Sequence, residues 1–148
     1  MELNFFDFTK EPGKIKNKKT IINDVKPLIT IITPYYNASE YINQTANSIF
    51  NQTFPYWEWI IVNDGSTEEN AQNVLNELMR EDSRIRVYNK ENEGVCKARD
   101  YAISKANTDL IFVLDSDDLI ENTVLECSYW SLKTNPGASW VYCNSVRI

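Results

Sequence analysis

Apolar and polar positions along the chain follow two alternating periods. Leu28–Thr33, Trp57–Val62, Ile85–Tyr88 and Leu110–Leu114 are short runs rich in β-branched and aromatic residues, each closed by polar or turn-forming residues, a pattern that predicts strands. Between them the period lengthens. Tyr41, Ile42, Thr45, Ile49 and Phe50 recur at helical spacing, and Ala71, Val74, Leu75, Leu78 and Met79 form the cleanest amphipathic stripe. Asn37 with Glu40, and Ser66 with Glu69, have the spacing of capping boxes, so helices are expected to start there. Val95–Ala106 and Asn122–Lys133 complete the helices, the second stopped by Asn135-Pro136-Gly137. Trp140–Cys143 reads as a fifth strand. The alternation predicts an α/β fold with right-handed crossovers and a mostly parallel sheet covered by helices on both faces.

In such a sheet the carboxyl ends of the strands share one edge, where ligands bind. That edge brings together Pro34–Asn37, Asp64–Ser66 and Asp115–Asp118, which are distant in sequence. Leu110–Leu114 reads as a strand buried on both faces, and it runs into three carboxylates, Asp115, Asp117 and Asp118. At about 4 Å and an effective dielectric of ~20, each like-charged pair costs roughly 4 kcal/mol. A hard divalent cation such as Mg²⁺ or Mn²⁺ would relieve this, whereas a solvated acidic turn is the plain alternative.

Composition then narrows the chemistry. The 148 residues fit one domain, residues 27–148, preceded by an extension over residues 1–26 with six Lys and four acids. The remainder carries nine Lys or Arg and seventeen acids, which argues against nucleic acid as a partner. Lys14, Lys16, Lys18 and Lys19 could touch an anionic membrane, or form a solvated tail. Three scattered Cys give neither a disulfide framework nor a zinc motif. The sequence has no signal-peptide core and no apolar run near the ~20 residues of a membrane span, so a reducing cytoplasm is expected. The absence of His excludes His ligands and Ser-His or Cys-His nucleophiles.

Each candidate residue has a functional and a structural reading. Asp64 could accept a hydrogen bond from a base or ribose, or simply belong to an Asp-Gly turn. Pro34, Tyr35 and Tyr36 could floor a uracil-like base, with one of the two Tyr expected to be a packing residue. Lys97 and Arg99 could neutralise phosphates or form a solvated helix face. Asp117 with Asp118 would hold a cation bridging two phosphates, and Asp115 would assist at the ribose or through the metal's water shell.

Pro34-Tyr35-Tyr36-Asn37, Ser48–Thr53, Val62–Ser66, Gly94…Ala98-Arg99 and Leu114-Asp115-Ser116-Asp117-Asp118 stand in an order that resembles the nucleotide-sugar half of a family 2 inverting glycosyltransferase. The resemblance covers roughly residues 27–125 and implies the Rossmann-like nucleotide-binding half of a GT-A fold. It implies a nucleoside-diphosphate sugar donor, commonly UDP-linked, with Mg²⁺ or Mn²⁺ on the Asp-x-Asp element Asp115–Asp117. It further implies attack by a hydroxyl of a saccharide or lipid-linked acceptor, with inversion, in cell-surface polysaccharide biosynthesis at the cytoplasmic side of a membrane. Pro34, Tyr35, Tyr36, Asn37, Asp64, Lys97, Arg99, Asp115 and Ser116 fall on donor-binding positions. Such enzymes take their general base from a later segment, expected beyond Ile148, and neither Glu121 nor Glu126 is assigned that role. The chain is therefore expected to be a donor-binding fragment. Three alternatives remain: a metal-dependent phosphohydrolase with Asp115 as nucleophile, a receiver-like domain phosphorylated on Asp64, and a non-catalytic nucleotide-sugar-binding module.

Overall fold

The central strand pair explains most of the core. In a computed structural model, which describes residues 26–143, β1 (Ile29–Tyr35) and β2 (Trp57–Asp64) run parallel from Ile29 opposite Trp57 to Tyr35 opposite Asn63. All eight residues of β2 are buried, as expected of a strand with neighbours on both edges and helices on both faces. The other elements are α1 (Ile42–Phe50), α2 (Ala71–Glu81), β3 (Ile85–Lys90), α3 (Val95–Ser104), β4 (Ile111–Val113) and α4 (Val124–Thr134). All pairings are parallel, in the order β3-β2-β1-β4. The extension and its lysines fall almost wholly on residues 1–25, outside the described residues.

The two-residue period of the strands sorts side chains between two clusters. Ile31, Tyr35, Trp57, Trp59 and Ile61 pack with residues of α1, α2 and α4, among them Ile42, Ile49, Leu75 and Leu125. Ile32, Ile60 and Val62 face the other way, onto Ala98 and Ala102 of α3. Two alanines one turn apart give α3 a flat face that lets it lie close on the sheet. Full burial of each Ile contributes about 1.5–3 kcal/mol. Trp59 is fully buried, and its indole N–H donates to the Thr33 hydroxyl at 2.8 Å, so burial leaves no unpaired donor.

The structure departs from the sequence expectations at four places. β1 runs through Pro34 instead of stopping before it. The pairing with β4 ends at Ile32, so Pro34 stands where the strand has a neighbour on one side only and its missing N–H is tolerated. β4 is shorter than expected and is not buried on both faces, since Val113 is 51% exposed. It is the edge strand, with β1 as its only partner among the described residues. Trp140–Cys143 forms no strand, and Trp140 and Tyr142 are exposed. A strand needs a partner edge, and this segment meets none among the described residues.

The fourth departure is at the helix starts. Neither capping box forms: α1 and α2 begin at Ile42 and Ala71, without side-chain caps. The residues of the two boxes bond to each other's loops instead. Asn37, in the left-handed region at φ 50°, accepts the N–H groups of Thr67 (2.8 Å) and Glu68 (3.1 Å) on Oδ1. Its own N–H donates to Ser66 Oγ at 3.0 Å, and Glu68 Oε2 accepts from the N–H and hydroxyl of Ser39. The two loops after β1 and β2 are thereby stapled together.

Candidate functional site

A cleft of about 390 Å³ opens at the carboxyl ends of β1, β2 and β4, against the start of α3. Its lining comes from Pro34, Tyr35, Tyr36 and Asp64, from Asn92, Gly94 and Val95, and from Asp115, Ser116 and Asp117. Three of the sequence segments singled out thus converge, joined by a fourth, the loop between β3 and α3.

Tyr35 and Tyr36 divide their tasks as the strand period requires. Tyr35 is fully buried, its hydroxyl hydrogen-bonded to that of Ser39 at 2.8 Å. Burial pushes its phenol pKa up, outweighing the Ser39 hydrogen bond. Tyr36 is half-exposed and leaves an aromatic ring at the cleft. Asn37 is not among the lining residues and serves the loop staple.

Asp64 ends β2 almost wholly buried, at 3% exposure. Its Oδ1 accepts from Lys90 Nζ (2.7 Å) and the Glu93 N–H (3.1 Å), and its Oδ2 accepts from the Gly94 N–H (2.8 Å). Burial alone would raise its pKa. The hydrogen bonds and the Lys90 charge outweigh burial and hold it below the usual carboxylate range. Lys90 spends its three donors on Asp64, the Glu91 carbonyl (2.6 Å) and Glu93 Oε2 (2.8 Å). Asp64 therefore fastens the 91–94 loop as the cleft wall. Lys90 was missed in the sequence because a Lys at a strand end reads as solvated.

Gly65 and Gly94 permit this arrangement. Gly65 has φ +71°, and a Cβ there would lie 2.7 Å from the Asn92 backbone nitrogen. Gly94 has φ +93°, which turns the chain so that its N–H reaches Asp64 just before α3 begins.

Arg99 and Asp118 do not line the cleft themselves; Arg99 Nη2 pairs with the lining Asp115 at Oδ1, 2.6 Å away, while Arg99 Nε is buried without a hydrogen-bond partner. Lys97 is exposed and does not line the cleft. Ser116 is buried, and Asp117 and Asp118 are exposed. Partial burial, then the charges of Asp117 and Asp115, raise the Asp118 pKa. Asp115, Asp117 and Asp118 do not close into a metal-holding triplet: no group of three or more such side chains occurs among the described residues. Asp115 is turned to Arg99, so the three carboxylates expected to share a cation are not gathered around one point. Asp117 and Asp118 remain as hard oxygen donors whose mutual repulsion is unrelieved, which suits a cation whose other ligands come with a bound phosphate. Of the two later acids, Glu121 accepts from the Thr123 N–H and hydroxyl, and Glu126 is buried against Thr53; neither lines the cleft.

Comparison with known proteins shows the family. Residues 30–137 match the family model described as glycosyl transferase family 2. The TuaG glycosyltransferase of Bacillus subtilis, named for teichuronic acid biosynthesis, is 42% identical over 102 residues, covering 68% of this chain and 40% of that protein. The chondroitin synthase of Pasteurella multocida is 40% identical over 100 residues, covering 68% of this chain and 10% of that protein. Among solved structures, S. aureus TarS 1–349 in complex with UDP-GlcNAc superposes with a TM-score of 0.66 at 29% identity, covering 74% of this chain and 32% of that one. The matched part thus spans at most about two fifths of these relatives.

Proposed function

As this chain belongs to glycosyl transferase family 2, we propose that it forms the donor-binding part of an inverting glycosyltransferase of GT-A fold that draws on a UDP-linked sugar. The observation that carries the reading is the convergence, in one cleft, of a buried acceptor at Asp64, an exposed ring at Tyr36 and the Asp115–Asp117 turn. Pro34 and Tyr36 would take the base. The three donors on Asp64 use three of its roughly four lone-pair sites. One site suits uracil, which offers a single imide N–H, better than guanine, which offers two adjacent donors. The complexes of S. aureus TarS with UDP-GlcNAc and with UDP lend support.

Toward the diphosphate, Arg99 supplies positive charge, with Asp115 holding it in place until phosphate arrives. Asp117 and Asp118 would hold Mg²⁺ or Mn²⁺, with Asp115 and Ser116 lining the approach. When bound, the ion neutralises the charge that grows on the departing diphosphate. A saccharide or lipid-linked hydroxyl would attack from the far side, at the cytoplasmic face of a membrane, in cell-surface polysaccharide synthesis. The names of the teichuronic acid and chondroitin relatives favour that setting. No carboxylate after Asp118 lines the cleft among the described residues, so we assign the general base to a segment outside them. Residues 1–26 are proposed as an extension to the domain.

The competing readings fit less well. A phosphohydrolase needs Asp115 free to attack, whereas it is ion-paired with Arg99. A phosphorylated Asp64 would have to give up the Lys90, Glu93 and Gly94 donors that fasten the 91–94 loop, whereas accepting one further N–H keeps them. Thermal shift with a nucleotide panel tests the base assignment. UDP should stabilise the protein more than GDP, CDP or ADP, and Asp64→Asn should abolish the preference; a GDP preference would overturn it.

A further inference from the structure

Thr45 and Ser48 on one side of α1, with Gln52 just beyond its end, form a row of polar side chains. None of them lines the cleft. Each bonds the chain that leaves β4. The Thr45 hydroxyl, fully buried, donates to the Ser116 carbonyl at 3.0 Å. Ser48 Oγ accepts the Ile120 N–H at 3.3 Å. Gln52 donates to the Glu121 carbonyl at 2.7 Å and accepts the Leu125 N–H at 3.1 Å. Thr53 continues the row, its N–H donating to the Asn122 carbonyl at 2.8 Å and its hydroxyl to Glu126. The ladder runs from the peptide between Asp115 and Asp117 to the first turn of α4.

We infer that Thr45 is a positioning residue for the acidic turn, with Ser48 and Gln52 fixing the chain that returns from it. The turn needs outside support. Its carboxylates repel one another, and its own closure rests on the Asp118 N–H reaching the Asp115 carbonyl at 3.2 Å. A helical Thr ordinarily spends its hydroxyl on the carbonyl one turn back in its own helix. Thr45 spends it across 71 residues of sequence, on the carbonyl of the buried Ser116. Because α1 is itself packed by Ile42, Ala46 and Ile49, the rigid core sets where Asp117 and Asp118 stand. This rests on the reading of those two residues as cation ligands.

The test compares wild type with Thr45→Val, which keeps the shape and removes the hydroxyl. UDP affinity is measured by calorimetry with Mn²⁺ and with chelator, and amide exchange at Ser116–Asp118 is followed without ligand. Thr45→Val should lose about tenfold of the Mn²⁺-dependent gain, the scale of one buried hydrogen bond, and change metal-free affinity by less than about twofold. Exchange at the turn should quicken, and Thr45→Ser should restore both. Ser48→Ala gives the same readout if Thr45→Val does not fold. Wild-type Mn²⁺ enhancement retained in full by these variants, or a parallel loss with and without metal, overturns the inference. A wild type without Mn²⁺ enhancement refutes the metal reading instead, and unchanged exchange at the turn then refutes the positioning role by itself.

Discussion

Gly65 is the position where a single methyl group should disturb both the fold and the cleft. An alanine Cβ there would meet the Asn92 backbone nitrogen at 2.7 Å and the Asn92 Cα at 3.3 Å. Ordinary contact begins near 3.4 Å, so the loop must retreat by roughly half an ångström or more. Retreat stretches the bonds from the Glu93 and Gly94 N–H groups to Asp64, each worth about 1 kcal/mol. The left-handed backbone at φ +71° adds about 1–2 kcal/mol for any residue with a Cβ. Gly65→Ala should therefore cost about 3 kcal/mol. At Gly94 the strain is of the backbone alone: nothing lies within 4 Å of its Cβ position, but φ +93° with ψ 163° is a conformation essentially closed to residues with a Cβ. Gly94→Ala should cost about 1–3 kcal/mol. At Gly137, with open space and no left-handed backbone, the same change should be neutral or stabilise by up to about 1 kcal/mol. Urea unfolding midpoints at constant slope give the three values. A Gly65→Ala cost of no more than about 1–2 kcal/mol, that of its left-handed backbone alone, would refute the close approach of the 91–94 loop to β2.

Other outcomes follow from the same geometry. Tyr36→Ala should weaken UDP binding by about tenfold or more, since a stacked base is worth roughly 1–3 kcal/mol, whereas Tyr35→Phe should leave affinity unchanged and lower Tm slightly through the lost Ser39 bond; titration calorimetry reads both. Asp64, Glu58 and Asp82 all have depressed pKa values. Their stabilisation is complete above the ordinary carboxylate range and is lost as pH falls through the depressed values, so Tm should hold at mildly acidic pH and drop only below about pH 4. Asp118 is raised, so acidification should weaken Mn²⁺-dependent UDP binding earlier than it weakens the fold; pH-dependent calorimetry beside thermal melts checks the order.

The fold was legible because each strand kept its period and each helix its stripe. Asp64, Tyr36 and the Asp115–Asp117 turn reached the predicted edge for the same reason. Bonds that cross between segments were not legible. Asn37 and Ser66 match a local capping signature, yet their hydrogen bonds run to each other's loops. Thr45 looked like one more member of a helical stripe, and its partner lies 71 residues away. The burial of β4 was overestimated because five apolar residues in a row look alike in a central and an edge strand. Lys90 could have been suspected from its place opposite Asp64 once the register of β2 with β3 was fixed.

We propose that the cleft binds a nucleoside diphosphate together with a divalent cation on Asp117 and Asp118. UDP titrated into the wild-type protein and Asp117→Asn, each with Mn²⁺ and with chelator, addresses it most directly. Mn²⁺ should tighten wild-type binding, and Asp117→Asn should lose this gain while keeping the metal-free affinity. Binding of UDP that is indifferent to both the ion and the substitution would contradict it.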